Sequence, residues 1–225
     1  MNRPGAAPSS GLSTAHYRGL SLDVGRKAFS VPAIERLLAR MAQLGFTALK
    51  LPLTETHRVG VQLPGFEELA APDAWTADDA ARIVAAADRA GIALIPEVDL
   101  PSHAGALLVG MEQLQLVDRD GTVHPDRLDV SQPEALEFAL ALTEAAATLF
   151  PGDAVHLGGD EYFAAPWEDE GAQRPDRFLA LVDHARRERG EQATALDSYA
   201  LFMNALAARV VELGRTPVHR PLLNR

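Results

Sequence analysis

Ala154-Val155-His156-Leu157-Gly158-Gly159-Asp160-Glu161-Tyr162 is the stretch on which the chain turns. Ala154 to Leu157 suit a short buried strand. Gly158 and Gly159 remove side chains where that strand ends, and two carboxylates follow at once. Glycine permits positive φ and lets backbone or ligand come close. A carboxylate pair just past a strand end is costly inside a core and natural in a polar site. Taken alone, Gly-Gly-Asp-Glu also reads as a tight turn leading into a solvated acidic helix start. The surrounding sequence weighs against that.

Upstream, Ser131-Gln132-Pro133-Glu134 has the form of a capping box with proline in the first turn. Phe138, Leu142, Ala145 and Leu149 follow at helical spacing, and Pro151-Gly152 turns the chain into the strand. Further back, Ile92 to Leu100 reads as a strand running into Pro101-Ser102-His103, followed by an irregular stretch to about Val130. Before it, Thr76 and Asp79 make a second capping box, and Ala80, Ile83, Val84 and Ala87 form an apolar stripe that Gly91 ends. Thr47 to Leu51 reads as a strand leading to Glu55, with a Pro- and Gly-containing loop beyond. Ser30, Pro32 and the series Ile34, Leu37, Leu38, Met41 and Leu44 predict a helix stopped by Gly45. Tyr17 to Val24 predicts the first strand. Downstream lie two helices, around 176–189 and 196–213, and Thr216 to Arg220 can start a fifth strand.

Alternating strands and helices imply parallel pairing with right-handed crossovers. An open doubly wound sheet usually carries a Gly-rich phosphate turn after its first strand, and Gly19 and Gly25 do not make one. Asp23, Glu55, Asp99 with His103, and Asp160 with Glu161 all fall at or just past successive strand ends. In a barrel those ends meet on one face, where such enzymes keep their chemistry. The predicted fold class is therefore α/β, a partial TIM-type (β/α) barrel of about four to five βα units with parallel strands. Leu22, Leu49, Leu94 and Val155 are read as the inward-facing set.

The 225 residues carry 21 Lys plus Arg against 31 Asp plus Glu, a net charge of −10 that argues against nucleic acid or an anionic membrane as partner. Absence of cysteine excludes disulfides, thiolate nucleophiles and Cys-based metal sites. No apolar run approaches the ~20 residues of a membrane span. Residues 1–15 are rich in Pro, Gly, Ser and Ala and lack an apolar core segment, so they read as a flexible lead without a signal peptide, and the expected location is cytoplasmic.

Three motifs, in order and on the expected strands, resemble glycoside hydrolase family 20, the β-N-acetylhexosaminidases. Arg18 to Arg26 resembles the opening Arg-Gly-x-x-x-Asp-x-x-Arg. Ile95 to Ala104 resembles Pro-Glu-x-Asp-x-Pro-Gly-His, with Ser102 at the glycine position. His156 to Glu161 resembles the signature around the catalytic pair and is the most specific of the three. The resemblance makes residues 16–225 a glycosidase catalytic domain. It implies a retaining mechanism in which the substrate's own acetamide oxygen is the nucleophile. Asp160 would orient the acetamide, and Glu161 would protonate the leaving oxygen and then activate water. A general acid must hold its proton near neutral pH, and neighbouring Asp160 supplies a like charge in the favourable direction. Arg18 would hold sugar hydroxyls. His103 would support the acid through a network with Glu55, which stands where the family has aspartate. His156 is read as a satisfied core histidine. The resemblance calls for no metal or organic cofactor, and for a carbohydrate partner, an N-acetylglucosaminide or N-acetylgalactosaminide.

A complete barrel of this type takes about 250 residues. The sequence therefore reads as a barrel lacking its later strands, where the family carries pocket-walling tryptophans and an acetamide-gripping tyrosine. Arg220 falls about where one such tryptophan belongs, and Trp75 and Trp167 lie on other segments. Open sheet edges and uncovered inward leucines lead to the expectation of self-association across the open side. Two other functions fit parts of the pattern. One is a non-hydrolysing half barrel that binds sugar or a partner. The other is a metal-dependent hydrolase built on His103, His156, Asp160 and Glu161, although no His-x-His or His-Glu-x-x-His spacing is present.

Overall fold

The computed structural model describes residues 18–163 and 175–219; the 1–15 lead, Trp167 and Arg220 lie outside the described residues. Five strands, β1 (Gly19–Ser21), β2 (Ala48–Pro52), β3 (Ala93–Leu100), β4 (Ala154–Gly158) and β5 (Thr216–Val218), form one sheet in chain order. All four pairings are parallel, with Leu20 beside Leu49, Leu49 beside Leu94, Glu97 beside His156, and His156 beside Val218. Chain order without a reversal is the single winding of a barrel arc, not the switch point of a doubly wound sheet. Beyond its three regular residues, β1 continues along β2, since Leu22 and Val24 N–H donate to the carbonyls of Lys50 and Pro52.

The crossovers are α1 (Val31–Gln43), α2 (Ala77–Ala90) and α3 (Pro133–Leu149), and the pair α4 (Leu179–Arg189) and α5 (Ala195–Glu212) links β4 to β5. Thr76 and Asp79 form the expected reciprocal cap of α2, at 3.2 and 3.1 Å, and Gly91 ends that helix in the left-handed region at φ 65°. The start of α3 differs from expectation. Gln132 is the N-cap, and Ser131 instead donates its hydroxyl to Asp129 Oδ1 at 2.6 Å. Proline at the first turn supplies the start signal without a side-chain cap. The supposedly irregular stretch before Val130 contains a hairpin, Gln115–Val117 with Val123–Leu128. A smaller hairpin, Thr54–Glu55 with Arg58–Val59, follows β2. No described helix is long and apolar enough to cross a membrane.

The two faces of the sheet differ in kind, and here the sequence reading is corrected. Leu49, Leu51, Leu94, Val155 and Leu157 are buried in one cluster with helix residues such as Ile34, Leu38, Ile83 and Leu142, and Leu22 packs against it. Leu22, Leu49, Leu94 and Val155 are thus helix-facing, not inward. Alternate residues point to opposite faces of a strand, so the inner face carries Ala48, Lys50, Ile95, Glu97, Ala154 and His156. Ala48, Ile95 and Ala154 make a small separate apolar group there. Of the two grounds for association across the open side, open sheet edges and uncovered inward leucines, the second is removed, because the helices of this same chain cover those leucines. Leu51→Ala is expected to cost about 2–5 kcal/mol, the usual penalty for an aliphatic side chain deleted from a packed core. Ala93→Ser, at an exposed position, is expected to stay within about 0.5 kcal/mol. Urea denaturation of both variants checks the assignment of faces.

Candidate active site

At the C-terminal ends of β1 to β4 the inner face opens into a polar cleft lined by Asp23, Arg26, Thr54, Glu55, Glu97, Asp99, His103, Asp160 and Glu161. Strand geometry delivers these groups. Asp23 follows β1, Glu55 follows β2 on the short hairpin, Glu97 and Asp99 belong to β3, and Asp160 and Glu161 follow β4. Gly158 is required by close approach. A Cβ built there would lie 2.0 Å from Asp99 Oδ1 and 2.6 Å from Asp99 Cα, at a φ of 70°. The paired glycines thus let β4 end against Asp99 and turn sharply, with Gly159 at φ 96°.

His103 joins two acids from different strand ends. Its Nδ1 lies 3.1 Å from Glu55 Oε1 and its Nε2 3.3 Å from Glu161 Oε2. The Glu55 carboxylate at Nδ1 favours the imidazolium, which can donate from both ring nitrogens. The hydrogen bond to Glu55 and the charges of Asp99, Glu55 and Asp160 outweigh burial and raise the His103 pKa to about 9. Burial alone would raise the Glu55 carboxyl. Hydrogen bonds from His103 and the Thr56 N–H, with the His103 charge and the Arg26 hydrogen bond, hold it down to about 2 instead. Arg26 pairs with Glu55 through Nη2 and approaches Asp23 Oδ2 with Nε at 3.4 Å. One chain of opposite charges therefore runs Asp23, Arg26, Glu55, His103, and its His103 end meets Glu161.

Below this chain lies a second, buried one. Glu97 pairs with Lys50 from β2 on one side, and on the other His156 Nδ1 from β4 lies 2.8 Å from Glu97 Oε1. Burial would raise the Glu97 carboxyl, but the hydrogen bond and charge of His156, then those of Lys50, lower it overall. The Gly158 N–H also lies 3.1 Å from this His156 Nδ1, so the imidazole is held at the strand end. Asp99, His103 and Asp160 each offer an atom within 4.8 Å of the others, a grouping that resembles a metal site. An imidazolium with both nitrogens turned to Glu55 and Glu161 has no lone pair for a cation, so the set suits charge pairing rather than coordination.

Four of the five expected site residues, Glu55, His103, Asp160 and Glu161, meet in the cleft. Arg18 does not reach it. It precedes β1 at the other end of the sheet, where its guanidinium lies over the Phe46 ring at 5.5 Å. Arg26, Lys50 and Glu97 have places in the site that sequence reading did not assign. Arg26 closes the opening motif and Glu97 stands inside the second one, so both lay in stretches already singled out. Lys50 had one signal, a charge within an otherwise apolar strand. Trp75 is structural, its Nε1 donating to the Phe29 carbonyl at 2.7 Å.

A barrel arc with paired carboxylates at a strand end, one of them tied to a histidine and a further acid, defines a hydrolase-type acid–base site. Residues 16–219 match the family model of the glycosyl hydrolase family 20 catalytic domain, and the chain belongs to that family. It is 28% identical over 198 residues to a lacto-N-biosidase of Bifidobacterium bifidum, covering 88% of this chain and 17% of that one. It is 29% identical over 186 residues to a β-N-acetylhexosaminidase of Cellulomonas fimi, covering 75% of this chain and 36% of that one. The chain thus spans little more than a third of the latter and about a sixth of the former. Its fold is that of the Flavobacterium johnsoniae chitobiase, at a TM-score of 0.73, 24% identity, and coverage of 90% of this chain and 31% of that one. The exo-β-N-acetylglucosaminidase of Vibrio harveyi, solved with N-acetylglucosamine, gives 0.71, 21%, 91% and 35%.

The signs of the two shifts fix a pH window. The His103 pKa is raised from 6.5, so its stabilisation is complete below that value and is lost as pH rises through about 9. The Glu55 pKa is lowered from 4.5, so its stabilisation is complete above that value and is lost as pH falls through about 2. The imidazole resonances of His103, assigned by their disappearance in His103→Gln, should titrate near pH 9. In Glu55→Gln the midpoint should fall by about one to three units. An unchanged midpoint would show that Glu55 does not hold the proton on His103.

Proposed function

We propose that this chain hydrolyses terminal N-acetylhexosaminides with retention, using the substrate's acetamide as nucleophile. The observation that carries the reading is Glu161, placed at the β4 end beside Asp160 and tied through His103 to Glu55. Family membership supports it, and so do the names of the relatives, most of them β-hexosaminidases. The acetamide oxygen attacks the anomeric carbon while Glu161 gives its proton to the departing oxygen, forming an oxazolinium ion. Asp160 accepts from the acetamide N–H and balances the positive charge that develops on the ring. Glu161, now a carboxylate, takes a proton from water as that water attacks the anomeric carbon, and the acetamide is released. The His103 cation stabilises the Glu161 carboxylate between the two steps, and Glu55 keeps that cation charged.

The test is turnover of 4-nitrophenyl N-acetyl-β-D-glucosaminide and its galacto epimer. Glu161→Gln is expected to lower kcat roughly 100- to 10,000-fold with KM little changed, the usual worth of a positioned acid–base group. Asp160→Asn is expected to lower kcat roughly 100-fold, as for other preorganised electrostatic partners of a developing charge. It should also narrow the preference for acetamido over plain glucosides. Wild-type rates in both variants would refute the assignment. Saturable binding of N-acetylglucosamine without turnover in the wild-type chain would favour a sugar-binding role instead.

A further inference from the structure

Two carbonyls in succession on the acid-bearing turn are held by hydroxyl groups from two distant elements. Tyr199, on α5, donates its hydroxyl to the Gly159 carbonyl at 2.6 Å. Ser102, in the segment after β3, donates its hydroxyl to the Asp160 carbonyl. Both side chains are buried. The turn between them is unusual in its backbone. Gly158 and Gly159 have φ of 70° and 96°, and Glu161, which is not a glycine, has φ of 59°. His103, next to Ser102, also has a positive φ, of 53°. A non-glycine residue in this region costs free energy and persists only where its surroundings fix it.

We infer that Ser102 and Tyr199 are positioning residues that clamp the peptides on either side of Asp160 and so set the directions of the Asp160 and Glu161 side chains. The inference rests on the proposed role of that acid pair. Holding both carbonyls restricts rotation of the peptides on each side of Asp160. This fixes where the carboxylate of Asp160 leaves the chain relative to that of Glu161. Ser102 does this from the residue adjoining His103, so one segment supplies both the clamp on the turn and the imidazole that meets Glu161 at 3.3 Å. Tyr199 supplies the opposing anchor from below. Its ring stacks on Tyr162 with centroids 5.8 Å apart, and the Tyr162 hydroxyl in turn donates to the Leu128 carbonyl at 2.7 Å. Burial, with the charges of Asp160 and Asp99, pushes the Tyr199 hydroxyl up to about 12, so it remains a donor throughout the working pH range. Productive geometry of acid–base groups is sensitive to shifts of about an ångström, and loss of either hydroxyl releases one carbonyl of the pair.

The experiment uses Tyr199→Phe, Ser102→Ala and the double variant, with Ser102→Thr as the rescue because it keeps a hydroxyl at the same carbon. Two quantities are read: amide hydrogen exchange across residues 158–163, and kcat and KM on 4-nitrophenyl N-acetyl-β-D-glucosaminide. Each single loss should speed exchange in that segment, leave exchange in α2 unchanged, and lower kcat about tenfold with KM within about twofold, as for one lost neutral hydrogen bond. The double variant should lose less than the product of the two, because both bonds hold one segment. Ser102→Thr should restore both readouts. Unchanged exchange at 158–163 would overturn the clamp whatever the activity. Faster exchange with unchanged kcat would overturn its positioning role. A wild-type chain without hydrolysis refutes the functional proposal alone, and the exchange measurement then still decides the clamp.

Discussion

Charge compensation around His103 is the constraint on which the rest of this site depends. Six carboxylates, those of Asp23, Glu55, Glu97, Asp99, Asp160 and Glu161, line one cleft. Like charges at such spacing repel strongly, and burying any of them unpaired is expensive. The fold answers with cations placed between acids. Arg26 lies between Asp23 and Glu55, His103 between Glu55 and Glu161, and Lys50 against Glu97. The raised His103 pKa and the lowered Glu55 pKa are two views of the same pairing. Because each bridge joins neighbouring strand ends, the register of the parallel sheet and the ionisation of the cleft are tied together.

The same pairing accounts for the backbone. His103 meets Glu55 on one side and Glu161 on the other from a backbone in the left-handed region, at φ 53°. Glu161 has the same kind of backbone, at φ 59°. Such conformations are held from outside. Buried hydroxyl donors on the Gly159 and Asp160 carbonyls, the Thr54 hydroxyl accepting from the Asp99 N–H at 3.2 Å, and the close packing of Gly158 on Asp99 provide that support. Stability drawn from the helix-covered face, where Leu49, Leu51, Ile83 and Leu142 are fully buried, carries the cost of a polar, strained inner rim.

Much of this was legible in the sequence, for identifiable reasons. Strand order followed from alternation of helical and strand periods, and the acid pair announced itself by its place after a strand and two glycines. The Thr76 cap was legible because both partners lie within one turn. The faces of the strands were misread because each strand was judged by its leucines. In Ala48-Leu49-Lys50-Leu51-Pro52 the alternate positions carry Ala and Lys, and in β3 and β4 the same positions carry Glu97 and His156. One polar residue on the alternate positions of each of three adjacent strands, Lys50, Glu97 and His156, is the available signal for an inner face. The 115–128 hairpin also had a signal, Asp120-Gly121, with Gly121 at φ 80°, the left-handed value such turns require. The partners of Ser102 and Tyr199 had none. Their carbonyl contacts span 58 and 40 residues and depend on tertiary packing alone.

The cleft separates two tasks that a glycosidase must perform. Proton chemistry needs acidic and basic groups at fixed distances, and β1 to β4 with their following segments bring carboxyl groups and an imidazole into one contiguous network. Burying a sugar needs apolar walls against its ring faces, as ligand sites generally do. Among the described residues that line the cleft none is Phe, Tyr or Trp. Phe163, Phe178, Tyr162 and Tyr199 are clustered instead behind the acid-bearing turn, with ring centroids 4.9 to 6.1 Å apart. Among the described residues, these rings pack against the turn that carries Asp160 and Glu161. The four strand ends carry the motifs by which the chain resembles its family, and their side chains form one hydrogen-bonded and ion-paired network.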